Sequence, residues 1–330
     1  MLKLVFSALH WGSAGVSIGV NGFVAEGNFV IHLFLFRLLC NFAANDKREV
    51  DMIVFPCAKI NLGLNVVSKR DDGYHNIETV FFPVPLCDIL EVEIPKGKIS
   101  SAPSCELTVG GHTLAGDIQQ NLVVKAYRLL AADYTLPPVR ARLHKRIPSQ
   151  AGLGGGSSDA AFMIRLLNDL CQLHLTVEEM QNHAARLGAD CAFFITARPT
   201  FATGIGDILE PFDAPSHMLR GCYLAIIKPD IAVSTAEAYR QIMPVRPSVC
   251  CKDILREPVE AWKDVLTNDF EKPAFHAHPA LKVMKDRLYC LGASYAQMSG
   301  SGSAMFGIFR EAPSELQLAF PESITALMRI

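Results

Sequence analysis

No excess of one charge sign marks this chain. Its 31 Lys and Arg residues face 33 Asp and Glu, a net charge of −2. That near-neutral balance gives no support to a binder that holds nucleic acid by a basic face, and no nucleic-acid partner is expected. Cysteine is sparse, and ten in 330 residues are too dilute for a disulfide scaffold. No Cys-x-x-Cys pair occurs, and Cys250 and Cys251 are adjacent, which suits neither a zinc knuckle nor a redox motif. Reduced, mostly buried thiols in a cytoplasmic protein are the expectation. Charged residues make up only 19% of the chain and hydrophobic ones 50%, which removes disorder, collagen-like repeats and coiled coils. Internal repeats and low-complexity tracts are missing too. A globular chain remains, long enough for one large domain or two.

Long uninterrupted apolar runs are also lacking. Residues 1–50 carry few charges, and residues 29–44 are rich in Phe and Leu. A membrane span takes about 20 apolar residues. His32 and Arg37 break the best window, and a central Arg costs roughly 2.5–3.5 kcal/mol on insertion, so no membrane partner is expected. Lys3 ahead of an apolar run suggests a signal peptide, but Gly12, Gly15, Gly19 and Gly22 weaken the run, and a plastid transit peptide would hold more Ser and Arg. A third reading is preferred: translation starts at Met52, and residues 1–51 are an extension outside the fold.

From Met52 onward the patterns are clear. Residues 60–66 alternate apolar and polar, the period of a half-buried strand, and Arg70-Asp71-Asp72-Gly73 supplies a turn. Further alternations lie at residues 90–94 and 139–143. Leu122, Val123, Ala126, Leu129 and Leu130 keep helical spacing. Another helix carries a capping box, Thr176 with Glu179, and ends where Gly188 is expected as a left-handed cap. Strands first, then a helix, a strand and more helices predict an α+β fold rather than a doubly wound sheet. A second unit is expected from residue 216, with residues 223–227 as its first buried strand.

The most informative segment is Pro148-Ser149-Gln150-Ala151-Gly152-Leu153-Gly154-Gly155-Gly156-Ser157-Ser158-Asp159. Four glycines in five residues let a ligand approach the backbone. A helix pattern follows at once, and glycine-rich backbone entering a helix N-terminus offers free N–H groups to an anion such as phosphate. No Lys-Ser/Thr follows, so this is not a Walker A loop, and Ser157 occupies the place of the last glycine of GxGxxG. A flexible linker would not sit between a strand and a helix with apolar residues on both sides. A second small-residue cluster, Ser299-Gly300-Ser301-Gly302-Ser303, reads as a turn between strands or as a second wall of the same pocket. His276 and His278 lack a third ligand and read as a solvated turn, and Asn268 and Asp269 as helix caps.

Three stretches in order, residues 56–62, 152–161 and 298–302, resemble the GHMP kinase superfamily. Within it, Ala58-Lys59-Ile60-Asn61-Leu62, Asp72-Gly73-Tyr74-His75, residues 151–158 and Leu187-Gly188-Ala189-Asp190 resemble the 4-diphosphocytidyl-2-C-methyl-D-erythritol kinases. Cys57 departs from that pattern, where a small polar residue is commoner. The resemblance implies a first domain (residues 52–215) like ribosomal S5 domain 2 and a ferredoxin-like second domain (216–330), with the site in the cleft between them. It implies ATP with Mg²⁺ as cofactor and phosphorylation of the 2-hydroxyl of 4-diphosphocytidyl-2-C-methyl-D-erythritol.

The roles follow from the same resemblance. Asp190 takes the hydroxyl proton and Lys59 stands beside it, where a cation favours the developing alkoxide. Pro148, Gln150, Ala151, Gly152, Leu153, Gly154, Gly155, Gly156, Ser157 and Ser158 wrap ATP, with Ser157 or Ser158 the nearest protein contact of Mg²⁺. Tyr74, His75 and Tyr239 recognise cytosine. Asn61, Thr235, Ser299 and Gly300 complete the acceptor pocket. Two other readings stand beside this one: a relative with a different alcohol acceptor, such as homoserine or mevalonate, and a catalytically dead nucleotide-binding protein. Retention of Lys59 and Asp190 opposes the second. Nothing in the sequence separates a monomer from a homodimer.

Overall fold

The computed structural model describes residues 51–95, 103–112 and 116–330. The readings made for the N-terminal extension lie outside the described residues, apart from Asp51. That residue already pairs in a strand, one position ahead of the expected start.

The chain runs β1 (Asp51–Val54), β2 (Cys57–Lys69), β3 (His75–Cys87), β4 (Ile89–Glu93), β5 (Cys105–Gly111), α1 (Leu122–Asp133), β6 (Val139–Lys145), α2 (Gly155–Leu170), α3 (Val177–Ala185), α4 (Cys191–Thr196), β7 (Thr200–Thr203), β8 (Ile208–Pro211) and α5 (Ala214–Met218). It continues through β9 (Tyr223–Lys228), α6 (Thr235–Arg240), α7 (Cys251–Ile254), α8 (Glu271–Ala277), α9 (Pro279–Cys290), β10 (Tyr295–Met298), β11 (Met305–Phe309), α10 (Leu316–Ala319) and β12 (Ile324–Arg329). Three four-stranded sheets result, in the orders β1-β4-β6-β5, β2-β3-β7-β8 and β10-β11-β9-β12. Every pairing is antiparallel except that of β5 with β6. This is the α+β architecture expected.

The alternation in β2 predicts a half-buried strand, but the strand is buried on both faces. Ile60 and Leu62 face apolar core, and Lys59, Asn61 and Asn65 on the polar side are buried as well. The cover comes from distant chain. Lys59 N–H donates to the Leu153 carbonyl (2.9 Å), and Gly63 N–H donates to Gln297 Oε1 (3.0 Å). Period-two patterning registers only what is polar, not what is laid over it.

One other expectation changes. The capping box forms, with Thr176 and Glu179 exchanging side-chain-to-backbone bonds, but α3 stops at Ala185 and Gly188 is not left-handed. Its carbonyl instead accepts from Cys191 N–H (3.0 Å), which opens α4 and sets Asp190 at that helix's N-cap. Around the division expected between residues 215 and 216 lies the short helix α5. One apolar cluster joins Ile60, Leu62 and Phe82 to Leu224, Trp262 and Phe306. Among the described residues no helix is long and apolar enough to cross a membrane, and the nine described cysteines are free thiols.

Candidate active site

The glycine loop leads from β6 into α2, and the helix begins inside the glycine run, at Gly155. Gly154, the N-cap, and Gly152 have φ of 71° and 73°, a region L side chains avoid. Packing adds a second demand. A Cβ on Gly152 would overlap the Ser299 carbonyl, one on Gly154 would come within 2.8 Å of Phe194, and one on Gly155 within 2.9 Å of Ile147. Much of the glycine content thus serves the close approach of protein to protein. The first-turn amides, at residues 155–157, have no acceptor within the helix, and those residues line a cavity of about 720 Å³.

A second cavity, of about 1260 Å³, lies on the other side of the loop. Gln150, Gly152 and Gly154 line both cavities, so the loop is their partition. Of the residues expected to hold ATP, Pro148, Ala151, Leu153, Gly155, Gly156 and Ser157 line the smaller cavity alongside the shared three. Ser158 does not, being fully buried with its Oγ unpartnered. Of those expected to hold the acceptor, Asn61, Tyr74, His75, Thr235, Tyr239 and Gly300 line the larger one. Ser299 is buried beneath it, where its Oγ donates to the Gly152 carbonyl (2.9 Å). The second small-residue cluster is therefore packed against the glycine loop. Thr235 Oγ1 and Ser301 Oγ, 2.8 Å apart, share a hydrogen bond across the cavity wall.

Lys59 and Asp190 also line the larger cavity, with Lys59 Nζ 3.5 Å from Asp190 Oδ2. The lysine is held from two more sides. Its Nζ donates to Asn61 Oδ1 (2.5 Å) and lies 5.1 Å from the centre of the Phe81 ring, a cation over an aromatic face. Asn61 in turn donates from Nδ2 to Thr79 Oγ1 (3.0 Å), and Thr79 Oγ1 donates to the Gly63 carbonyl. The amide of Asn61 is thereby committed to aiming the lysine. Asp190 stays 34% exposed, open to whatever enters the cavity.

The aromatic residues arrange themselves differently from a simple Tyr74–Tyr239 pair. Tyr74 follows a turn closed by Gly73 N–H on the Arg70 carbonyl and by Tyr74 N–H on Asp72 Oδ1, and its ring is 61% exposed at the cavity mouth. His75 stacks on Tyr239 (centroids 5.1 Å apart, 20° between planes), and Tyr239 meets Phe270 edge-on at 4.8 Å. Burial first, and the Asp190 charge second, push the Tyr239 hydroxyl up to about 12. Sequence reasoning missed Phe270 and Thr79. It also misread Asp269 and Asn268 as helix caps: α8 has Phe270 at its N-cap and no side-chain cap bond. Asp269 accepts from Val66 N–H and Asn65 Nδ2, and Asn268 accepts from Phe270 N–H at Oδ1 (3.0 Å). Its Nδ2 donates to the carbonyls of Met298 and Gly300 (2.8 Å each) and so holds the 299–302 turn.

Similarity to known proteins agrees with this geometry. The GHMP kinases N terminal domain matches residues 121–198, and the GHMP kinases C terminal domain matches residues 252–324. A 4-diphosphocytidyl-2-C-methyl-D-erythritol kinase from Bacteroides fragilis is 53% identical over 78% of this chain and 92% of its own length. The one from Parabacteroides distasonis is 50% identical over 79% and 92%. A crystal structure of 4-(cytidine 5'-diphospho)-2C-methyl-D-erythritol kinase superposes with a TM-score of 0.68 at 32% identity, covering 84% of this chain and 98% of the other. The homoserine kinase of Cytophaga hutchinsonii shares the fold alone, with a TM-score of 0.56 at 16% identity over 87% and 95%. With half its aligned residues identical to named relatives, the chain belongs to the 4-diphosphocytidyl-2-C-methyl-D-erythritol kinase family of GHMP kinases.

Proposed function

We propose that this kinase transfers the γ-phosphoryl group of ATP to the 2-hydroxyl of 4-diphosphocytidyl-2-C-methyl-D-erythritol. The observation that carries the reading is the Lys59–Asp190 pair, set in the larger cavity against a glycine loop that fronts a second, smaller one. ATP occupies the smaller cavity with its phosphates over the first-turn amides of α2, and the alcohol occupies the larger. Asp190 takes the hydroxyl proton as the oxygen–phosphorus bond forms and the bond to the β-phosphate oxygen breaks, releasing ADP. Lys59 Nζ stabilises negative charge on the reacting oxygens.

Mg²⁺ travels with the nucleotide in this reading and neutralises phosphate charge. Held with the nucleotide, it would be coordinated chiefly by phosphate oxygens and water. Ser157, which lines the smaller cavity, would be the protein hydroxyl nearest that ion. For the cytosine end, the stacked His75–Tyr239 pair offers one wall and the exposed Tyr74 ring the other, the pattern by which aromatics hold a base.

An ATP-consumption assay across the cytidine substrate, homoserine and mevalonate tests the proposal. ADP should form with the first alone, and ³¹P NMR should show a new phosphomonoester. Turnover with homoserine or mevalonate and none with the cytidine substrate would reassign the acceptor.

A further inference from the structure

The wall of the smaller cavity contains a second cluster of charge, made by Lys145 at the end of β6 and Asp159 in the second turn of α2. Lys145 Nζ donates to Asp159 Oδ2 (2.6 Å) and also to Asp88 Oδ2. All three side chains are buried, the most exposed showing 3%. Asp88 is the single residue between β3 and β4, and it is tied down in three further ways. Its Oδ1 accepts from Arg146 N–H (2.5 Å) and Ile147 N–H (2.8 Å), and its own N–H donates to the Pro56 carbonyl (2.9 Å).

These bonds join the two ends of one loop. Residues 145–147 enter the glycine loop and Asp159 leaves it, so Asp88 holds the entry directly and the exit through Lys145. Through Pro56 the same residue is fastened to the start of β2, the strand that carries Lys59. Nothing in the phosphoryl-transfer step uses these groups. Burying two aspartates with a lysine ammonium costs far more than a hydrophobic cluster of the same volume would. The cluster does, however, fix a spacing that apolar contacts would leave soft, because charged hydrogen bonds are short and directional.

We infer that the Asp88–Lys145–Asp159 triad is a clamp that sets the separation of the glycine loop's ends, making Asp88 a positioning residue for the nucleotide phosphates. The inference rests on the reading that the smaller cavity takes ATP. A loop whose amides must meet phosphate oxygens loses affinity steeply with displacement. The acceptor alcohol, on the other side of the partition, is bound by other elements and should not sense the clamp.

Two substitutions test it, with KM for ATP and for the cytidine substrate measured separately and folding checked by thermal melting. Asp88→Asn keeps an oxygen for the two backbone N–H groups but can turn an amine toward Lys145. Its KM for ATP should rise about tenfold, the scale on which small misplacements act, with KM for the cytidine substrate within twofold. Asp159→Asn preserves shape and an acceptor but replaces the carboxyl that Lys145 holds, and KM for ATP should rise about threefold on the same scale. If both KM values rise together, or if folded Asp88→Asn leaves KM for ATP unchanged, the clamp is overturned. Should Asp88→Asn fail to fold, Asp159→Asn decides alone, and an unchanged KM for ATP rejects the proposal. A wild-type protein that consumes no ATP would remove the kinase reading instead. Equilibrium binding of a fluorescent ATP analogue to wild type and both variants would still judge the clamp.

Discussion

Two groupings of lysine with aspartate stand beside the glycine loop, one on each cavity, and they differ in the freedom left to the carboxylate. Asp190 is 34% exposed and 3.5 Å from Lys59. Asp159 is 3% exposed and 2.6 Å from Lys145. Lys59 donates its short bond to a neutral amide, Asn61, so the nearby carboxylate keeps lone pairs for an incoming hydroxyl. Lys145 divides itself between two carboxylates, and Asp88 spends its remaining oxygen on backbone N–H groups. A pair that must exchange a proton needs reach and access. A group that fixes geometry needs saturation and burial.

The largest expected effect breaks the open pair. Asp190→Asn removes the proton acceptor without changing shape, and kcat should fall about 10³–10⁴-fold, the upper range for a general base acting with a nearby charge. Equilibrium ATP binding should stay within a few-fold, because Asp190 lines only the larger cavity. A variant with near-wild-type turnover would end the assignment of Asp190 as base.

The next effect separates the two lysines. Lys145→Met leaves Asp88 and Asp159 buried with no cation between them, and urea unfolding should report a loss of about 3–5 kcal/mol. Lys59→Met leaves its carboxylate partner in contact with solvent and keeps an apolar stem over Phe81. It should cost about 1 kcal/mol or less in stability, as partly exposed ion pairs do, while activity collapses. Equal losses of stability in the two variants would erase the distinction drawn above.

What could be read in the sequence divides along the same line. The strand at residues 60–66, the turn before Tyr74, the capping box at Thr176 and the helix after the glycines all rest on neighbours within a few positions, and each is there. Lys59 and Asp190 were legible only through the likeness of short motifs, since alternation in β2 gave no reason to bury a lysine. The clamp was not legible. Lys145 reads as the next residue of an alternating strand and Asp159 as an ordinary residue in a helix, and Asp88 adjoins neither in sequence. Asn268 shows the limit within one side chain. Its bond from Phe270 N–H is local, whereas its grip on Met298 and Gly300 is made 30 and 32 residues away. Gly188 misled for the converse reason. A glycine after a helix suggests a left-handed stop, but here the chain re-enters a helix at once.

The smallest effect concerns charge within the closed cluster. Burial, with Asp88 close by, raises the Asp159 carboxyl well above the ordinary carboxylate range, and Lys145 only partly opposes this. Its Oδ1 has no hydrogen-bond partner, so nothing else favours the ionised form. A folded state that holds this proton more tightly than the unfolded chain is favoured at low pH. That contribution is lost as pH rises from about 4, where the unfolded carboxyl titrates. Asp159→Asn has no such proton to lose, and it leaves Lys145 and Asp88 as a balanced pair. The stability of the variant minus that of wild type should therefore grow as pH rises above the range where the unfolded carboxyl titrates. Other raised carboxyls, such as Glu271 and Asp269, are common to both proteins and cancel in the difference. A gap that stays flat with pH in urea titrations would mean that Asp159 is ionised throughout, with Lys145 carrying both carboxylates at full charge.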